Sequence, residues 1–305
     1  MKNKIFKIFL ILFVVISLTG CTVILKDENK KVVTNPKTGQ SLTKNILCQP
    51  EVKDTIKIYE KYKVNLSELP KCNDFKIDSG GYDGIWATVF VKPLAWLIIK
   101  IGQIFSNYGL SVIFITILIR LVMYPVTKST AVQSEHMKNA KPSLEKLEKK
   151  YEGKTDQASQ MQKSQEMMAI YKKYEIKPMS GCLFALIQIP LFFAFYEALN
   201  RIPALFEGNL LGFQLGTSPM TAVQNGNFQY IIIIILVVGA TYLSMKLNKT
   251  AAMSEAQEKQ MATMTNMMII FIGIASLSVT TGIALYWITN SSFTIVQNLI
   301  VKRRR

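Results

Sequence analysis

The sequence predicts an all-α, polytopic membrane protein with five transmembrane helices. Three observations lead there. Half of the 305 residues are hydrophobic while the net charge is +16, a combination that a single water-soluble core does not explain. The apolar residues gather in runs close to the ~20 residues that cross a hydrocarbon core of ~30 Å. The cations gather between and after those runs, in segments that one topology places on one side of the bilayer. Other classes are disfavoured. The single histidine, His136, stands apart from any cluster of His, Cys or carboxylates at metal-ligand spacing, so neither a metal nor another cofactor is expected. There is no glycine-rich nucleotide loop, no catalytic dyad and no nucleic-acid-binding motif, so neither an enzyme nor direct DNA binding is expected.

Taken in order, residues 1–20, "MKNKIFKIFLILFVVISLTG", have a lysine-bearing start, a short apolar run and small residues at the end. That is the pattern of a secretory signal. The cysteine after "LTG" resembles the bacterial lipoprotein cleavage box, so Cys21 is expected to carry lipid. A plain first transmembrane helix is the alternative. Residues 21–82 then form a lipid-anchored extracytoplasmic segment. They are polar, with little periodicity, and read as loosely structured. Cys48 and Cys72 would share an oxidising compartment that permits, without requiring, a disulfide. Residues 83–106 carry Trp86, Trp96, Lys92 and Lys100 around a central Pro93. They read as an amphipathic helix lying in the outer interface, where tryptophan and lysine are favoured.

The clear spans are 108–126, 179–199, 229–247, 263–278 and 281–300. The last two come from one apolar region broken at "SVTTG". With residue 22 outside and five spans, the basic stretch 128–177, Lys246, Lys249 and the closing "VKRRR" all fall in the cytoplasm. Counting 83–106 as a sixth span would put them outside, against the positive-inside bias. The protein is thus placed in a bacterial plasma membrane with its N-terminus outside and its C-terminus inside.

Residues 128–177 read as a cytoplasmic hairpin of two antiparallel helices turning at "EGKTD". Leu144, Leu147 and Tyr151 recur at helical spacing, as do Met161, Met168 and Tyr171. Pro142 is expected to bend the first helix. Packing between the two helices is the preferred role of the methionines, with an adaptable partner-binding surface as the alternative.

Inside the first span stands Arg120. A charge at mid-membrane costs about 2.5–3.5 kcal/mol on insertion scales. Tyr124, Pro125 and Thr127 already mark the inner boundary, so Arg120 sits about one turn deeper. Glu197, near the outer end of the second span, is the only acid in a clear span. A wet cavity is the remaining way to lodge the charge, and Thr116, one turn before Arg120, and Gln188 would line it. In the last span Trp287, Asn290, Thr294 and Asn298 fall at i, i+3, i+7 and i+11, one helical stripe. Hydrogen bonding between helices is the plainer reading of Gln188 and Thr294 taken singly.

The segments "FITILIRLVMYPVT", "MMAIYKKYEIKPMSGCL", "LIQIPLFFAFYEAL" and "GIALYWITNSSFTIVQ", in that order, resemble the YidC/Oxa family of membrane protein insertases over residues 83–300, in the form that starts as a Gram-positive lipoprotein. The resemblance implies a groove open to cytoplasm and lipid. Its arginine corresponds to Arg120, and its lining threonine, glutamine and aromatic positions to Thr116, Gln188 and Tyr286 or Trp287. It implies nascent membrane proteins as clients, transient contact with the ribosome, work alone or with the Sec translocase, and a hairpin needed for activity. Phe184 departs from the proline many relatives carry after "GCL". The tail is short, which implies little ribosome binding through it. The competing class is a secondary transporter or channel for a small anion held by Arg120, and the inverted repeats that would favour it are not seen. A lipoprotein that docks partners through the hairpin is a third, and it leaves Arg120 unexplained.

Overall fold

A computed structural model describes residues 22–177, 180–247 and 255–303. The leader and Cys21 lie outside them, so lipidation at Cys21 is not addressed by the structure. The side chains of 180–187, Cys182 and Phe184 among them, also lie outside the description.

The helices are α1 (Lys53–Lys61), α2 (Gly84–Phe105), α3 (Tyr108–Val122), α4 (Tyr124–Lys150), α5 (Gln157–Lys173), α6 (Ser180–Arg201), α7 (Pro203–Phe206), α8 (Pro219–Gln224), α9 (Ile231–Leu247), α10 (Glu255–Ser278) and α11 (Thr281–Arg303). Among the described residues only Gly84–Phe105 and Phe228–Leu247 are long and apolar enough to cross a bilayer by length and composition. Tyr108–Val122 and Ala262–Ser278 are shorter apolar helices. The chain divides into two compact units. One comprises residues up to 118, 188–237 and 275–289; the other comprises 119–187, 238–274 and 290–305.

In the first unit, residues 22–82 correct the expectation of a loose segment. Isolated bridges join Ile24 to Thr43, Lys26 to Val32 and Thr34 to Ser41, and Cys48 is bonded to Cys72. Leu25, Val33, Leu42, Ile46, Tyr59 and Val64 form a buried core completed by Phe206. These apolar residues are too sparse for a period to show, and the covalent staple and a residue distant in sequence make up for the small core.

The same segment is tied to the loop after α6. Leu47 N donates to Arg201 O at 2.9 Å and Arg201 Nε to Asn45 O at 2.7 Å. The Glu207 carboxylate accepts from the backbone N–H groups of Glu51 (2.9 Å) and Val52 (3.2 Å), which lead into α1. A carboxylate at a helix start satisfies donors that have no intrahelical partner.

Along α2, Lys92 is buried, and its Nζ donates to the carbonyls of Ser79 at 2.7 Å and Gly81 at 2.5 Å. Lys100 Nζ and Gln103 Nε2 both donate to Asn73 O. A widened π turn at Ala87–Val91 precedes Pro93, whose ring supplies no backbone donor.

After α7 comes a short antiparallel hairpin, β1 (Asn209–Leu210) and β2 (Phe213–Gln214). Its turn residues Leu211 and Gly212 both have positive φ, +51° and +86°. The start of α11 is anchored to the same loop. Thr281 N donates to Thr217 O at 2.9 Å and Gly282 N to Leu215 O at 2.8 Å, which employs two of the orphan donors of that helix.

In the second unit, α4 and α5 form the expected antiparallel hairpin, turning through Gly153 (φ +75°). Asp156 caps α5, its Oδ2 accepting from Ser159 N at 2.8 Å. That hydrogen bond holds the Asp156 carboxyl below the ordinary aspartate value. Pro125 sits in the first turn of α4, where a missing N–H costs nothing, and helix continues on both sides of Pro142. Ala140, Leu144, Tyr171 and Ile176 form the seam, joined by Met137 and Met167. Leu147 and Tyr151 are buried as their spacing suggests. Met161 and Met168 are not: they are 60% and 61% exposed, which overturns the packing reading for those two side chains.

Candidate functional site around Arg120

Arg120 lies in the last turn of α3 and is 3% exposed. Its Nε donates to Oδ1 of Asn290, in α11, at 2.5 Å. The amide oxygen accepts this bond and orients the guanidinium. Seven residues further along each segment, Thr127 and Gln297 meet. Thr127 Oγ1 donates to Gln297 Oε1 at 3.1 Å and accepts from Nε2 at 2.8 Å. Equal steps of seven, about two helical turns, show that these two stretches run in the same direction. Gln297 escaped the sequence reading, although its offset from Asn290 equals that of Thr127 from Arg120.

The threonine hydroxyls of the predicted set are used locally. Thr116 Oγ1 donates to Val112 O at 2.6 Å, and Thr294 Oγ1 to Asn290 O at 3.0 Å. Each is bonded back to its own helix and keeps acceptor capacity on its oxygen. Nδ2 of Asn298 is buried and finds no hydrogen-bond partner among the described residues.

In the other unit, Gln188, Tyr286 and Trp287 come together. Gln188 Nε2 donates to the Tyr286 hydroxyl at 3.3 Å, and the buried Tyr286 ring stacks on Phe195 with centroids 4.3 Å apart. Trp287 packs edge-on against Phe192 at 5.5 Å. Arg120, Asn290 and Thr294 thus belong to one unit, and Thr116, Gln188, Tyr286 and Trp287 to the other.

Glu197 is engaged elsewhere. Its Oε1 accepts from Trp86 Nε1 at 3.0 Å, and its Oε2 lies 4.0 Å from Arg201 Nη1. Arg201 Nη2 in turn pairs with Asp83 at 2.5 Å. Glu197 and Arg201 are buried, Asp83 is not, and together with Trp86 they hold the start of α2 against the C-terminal end of α6. The sequence showed Glu197 only as an isolated acid, because Asp83 and Arg201 stand outside the apolar runs. No group of three or more His, Cys, Asp or Glu side chains fit to hold a metal occurs among the described residues.

Comparison with known proteins bears on this arrangement. Residues 100–305 match the family described as 60Kd inner membrane protein. The chain is 35% identical over 226 residues to the membrane protein insertase YidC of Oceanobacillus iheyensis, covering 72% of this chain and 85% of that one. It is 34% identical over 218 residues to the membrane protein insertase MisCA of Bacillus subtilis, covering 71% and 79%. A solved structure described as an active YidC insertase with the first transmembrane domain resolved aligns with a TM-score of 0.49 and 20% identity. That alignment covers 78% of this chain and half of the solved one. On the length of the family match and the identity to these relatives, the chain belongs to the 60Kd inner membrane protein family.

Proposed function

We propose that this chain is a non-enzymatic membrane protein insertase of the bacterial plasma membrane, acting on nascent membrane proteins through a hydrated groove that contains Arg120. The observation that carries the reading is a buried guanidinium, its Nε bonded to Asn290, in the last turn of a largely apolar helix. Mid-membrane charge is retained where it serves a path for polar groups. The buried Nδ2 of Asn298, without a hydrogen-bond partner among the described residues, favours water in the same unit, since buried polar groups are otherwise paired.

A client span must carry a polar, often acidic, flank across the bilayer, and each unsatisfied polar group in hydrocarbon costs several kcal/mol. Water in the groove shortens the apolar path. Arg120 attracts acidic side chains of the flank, and the membrane potential draws them outward. The apolar segment leaves along the first and fifth spans, driven by its burial in lipid. Gln188, Tyr286 and Trp287 are read as client contacts, and Thr116, one turn before Arg120 in sequence, as a polar lining residue. The short fourth span thins the bilayer locally.

The topology we propose has five spans, an outer interfacial α2, a lipid on Cys21 and a cytoplasmic α4–α5 hairpin. What supports an interfacial α2 is its cover. Polar chain from Asn73 to Gly81 lies along it and occupies Lys92 and Lys100, a neighbour that hydrocarbon would not tolerate. The ribosome, transiently, and the Sec translocase are proposed as partners of the same cycle.

The deciding experiment places a photocrosslinker at 116, 188 or 287 and presents a ribosome-bound nascent chain. Crosslinks from all three positions to the client are expected. Adducts to lipid alone from every position would overturn the groove.

A further inference from the structure

The β-hairpin after α7 departs from the chemistry its turn calls for. A two-residue turn with positive φ at both central positions selects Asn-Gly or Asp-Gly. Here the pair is Leu211–Gly212, and Leu211 adopts φ +51° with 90% of its surface exposed. A leucine in the left-handed region is uncommon, and its exposure forgoes the burial that would offset the strain. Neither choice helps the fold.

The surroundings fix the depth of this hairpin. On one side, Asn107 Nδ2 donates to Asn209 O at 3.1 Å. Gly109 approaches Leu210 so closely that an added Cβ would stand 2.7 Å from the leucine Cβ. On the other side, Gln214 N donates to the Tyr230 hydroxyl at 2.8 Å, and Phe213 meets the Tyr230 ring edge-on at 5.1 Å. Asn107 and Gly109 open α3, and Tyr230 immediately precedes α9. The hairpin is therefore held level with the outer ends of two apolar helices, where a tyrosine also suits an interface. Large apolar side chains stand exposed at that level: Ile104 (72%), Leu110 (42%) and Phe228 (65%).

We infer that the 209–214 hairpin is a membrane-anchoring element whose tip, Leu211, enters the headgroup–acyl boundary of the outer leaflet. Its ligand is phospholipid. Leu110 at the start of α3 and Phe228 just before α9 are exposed apolar side chains like Leu211, and an exposed leucine gains free energy by leaving water. Held between two spans by Asn107 and Tyr230, the tip fixes the height of the loop that also carries Thr217 and Leu215, the acceptors for the start of α11. The inference rests on α3 and α9 being spans.

The test is a single added tryptophan, Leu211→Trp, in the full chain reconstituted into vesicles of phosphatidylglycerol and phosphatidylethanolamine. Emission is read as the difference from the unaltered chain. Ile235→Trp, on the exposed side of α9, serves as control. A blue-shifted Leu211→Trp signal is expected, quenched by lipids brominated near the carbonyls and shielded from aqueous acrylamide. Quenching of Ile235→Trp together with a red-shifted, acrylamide-accessible Leu211→Trp signal would overturn the anchor and leave the span reading intact. Failure of both would instead count against the spans. Should Leu211→Trp not fold, a nitroxide on Leu211→Cys measures the same depth through its relative accessibility to oxygen and to a water-soluble nickel complex: greater access to oxygen supports the anchor, and greater access to nickel overturns it.

Discussion

Thr127 and Gln297 exchange two hydrogen bonds, at 3.1 and 2.8 Å, two helical turns beyond the contact of Arg120 with Asn290. Both residues are buried, so breaking the pair leaves an unsatisfied group. Thr127→Val or Gln297→Leu alone should destabilise by about 1–3 kcal/mol. The double variant should lose much less than the sum of the two. A double-mutant cycle on unfolding in detergent checks this; strict additivity would show that the pair contributes no coupling.

Arg120→Ala should abolish insertion of clients with acidic translocated flanks, and Arg120→Lys should retain part of it, since lysine keeps the charge but not the planar guanidinium that meets Asn290. Clients with neutral flanks should respond much less. An in-cell insertion assay on paired clients reads the difference, and full activity of Arg120→Ala on the acidic client would remove charge attraction from the mechanism.

Replacing Cys48 and Cys72 by serine frees a loop with a sequence separation of 24. Loop-closure entropy puts the loss at about 3.5 kcal/mol. Limited proteolysis should then cut within residues 22–82 while the helices stay protected. Equal protease resistance with and without the bond would mean that packing against Phe206 alone holds this part.

Burial raises the Glu207 carboxyl above the ordinary glutamate value, although the N–H groups of Glu51 and Val52 oppose the shift. A carboxyl with a raised folded pKa contributes stability below its unfolded pKa of about 4.3 and loses that contribution as pH rises through the folded value. Melting curves from pH 4 to 8 should show the wild type declining relative to Glu207→Gln. A wild type that instead gains on the variant as pH rises would show that the N–H bonds outweigh burial.

Deleting 135–170 should impair client capture. Met161→Ser with Met168→Ser should weaken it without unfolding the hairpin, because both side chains are exposed and the seam is formed by other residues. Crosslinking yield measures capture, and circular dichroism checks that the helices persist. Unchanged yield from the deletion would separate the hairpin from capture.

How much was legible follows from where the signal is local. The apolar runs, the 128–177 hairpin and the break at "SVTTG" depend on neighbours in sequence, and each has its counterpart in an element. The Asn290 contact is long-range: the helical stripe through Trp287 and Thr294 marks Asn290 as a polar residue of the last helix but does not name Arg120 as its partner. What was missed depends on remote partners. The 22–82 core needs Phe206, Glu197 needs Trp86 and Arg201, and Thr127 needs Gln297. Exposure of Met161 and Met168 turns on which side of α5 meets α4, and several methionines at similar spacing leave that choice undetermined.

The position of Phe206 also constrains how the protein comes into being. In the five-span topology we propose, residues 22–64 leave the ribosome early but lack the ring that completes their core until the loop carrying Phe206 has been made and delivered to the same side. At bacterial synthesis speeds that interval is on the order of ten seconds. On that topology the thiols of Cys48 and Cys72 and the leucines and valines of this core stay open to chaperones, proteases and wrong pairings throughout the interval. Export of this first portion and threading of the second span are therefore one coupled step in biogenesis, and a delay in the latter should appear as degradation of the former.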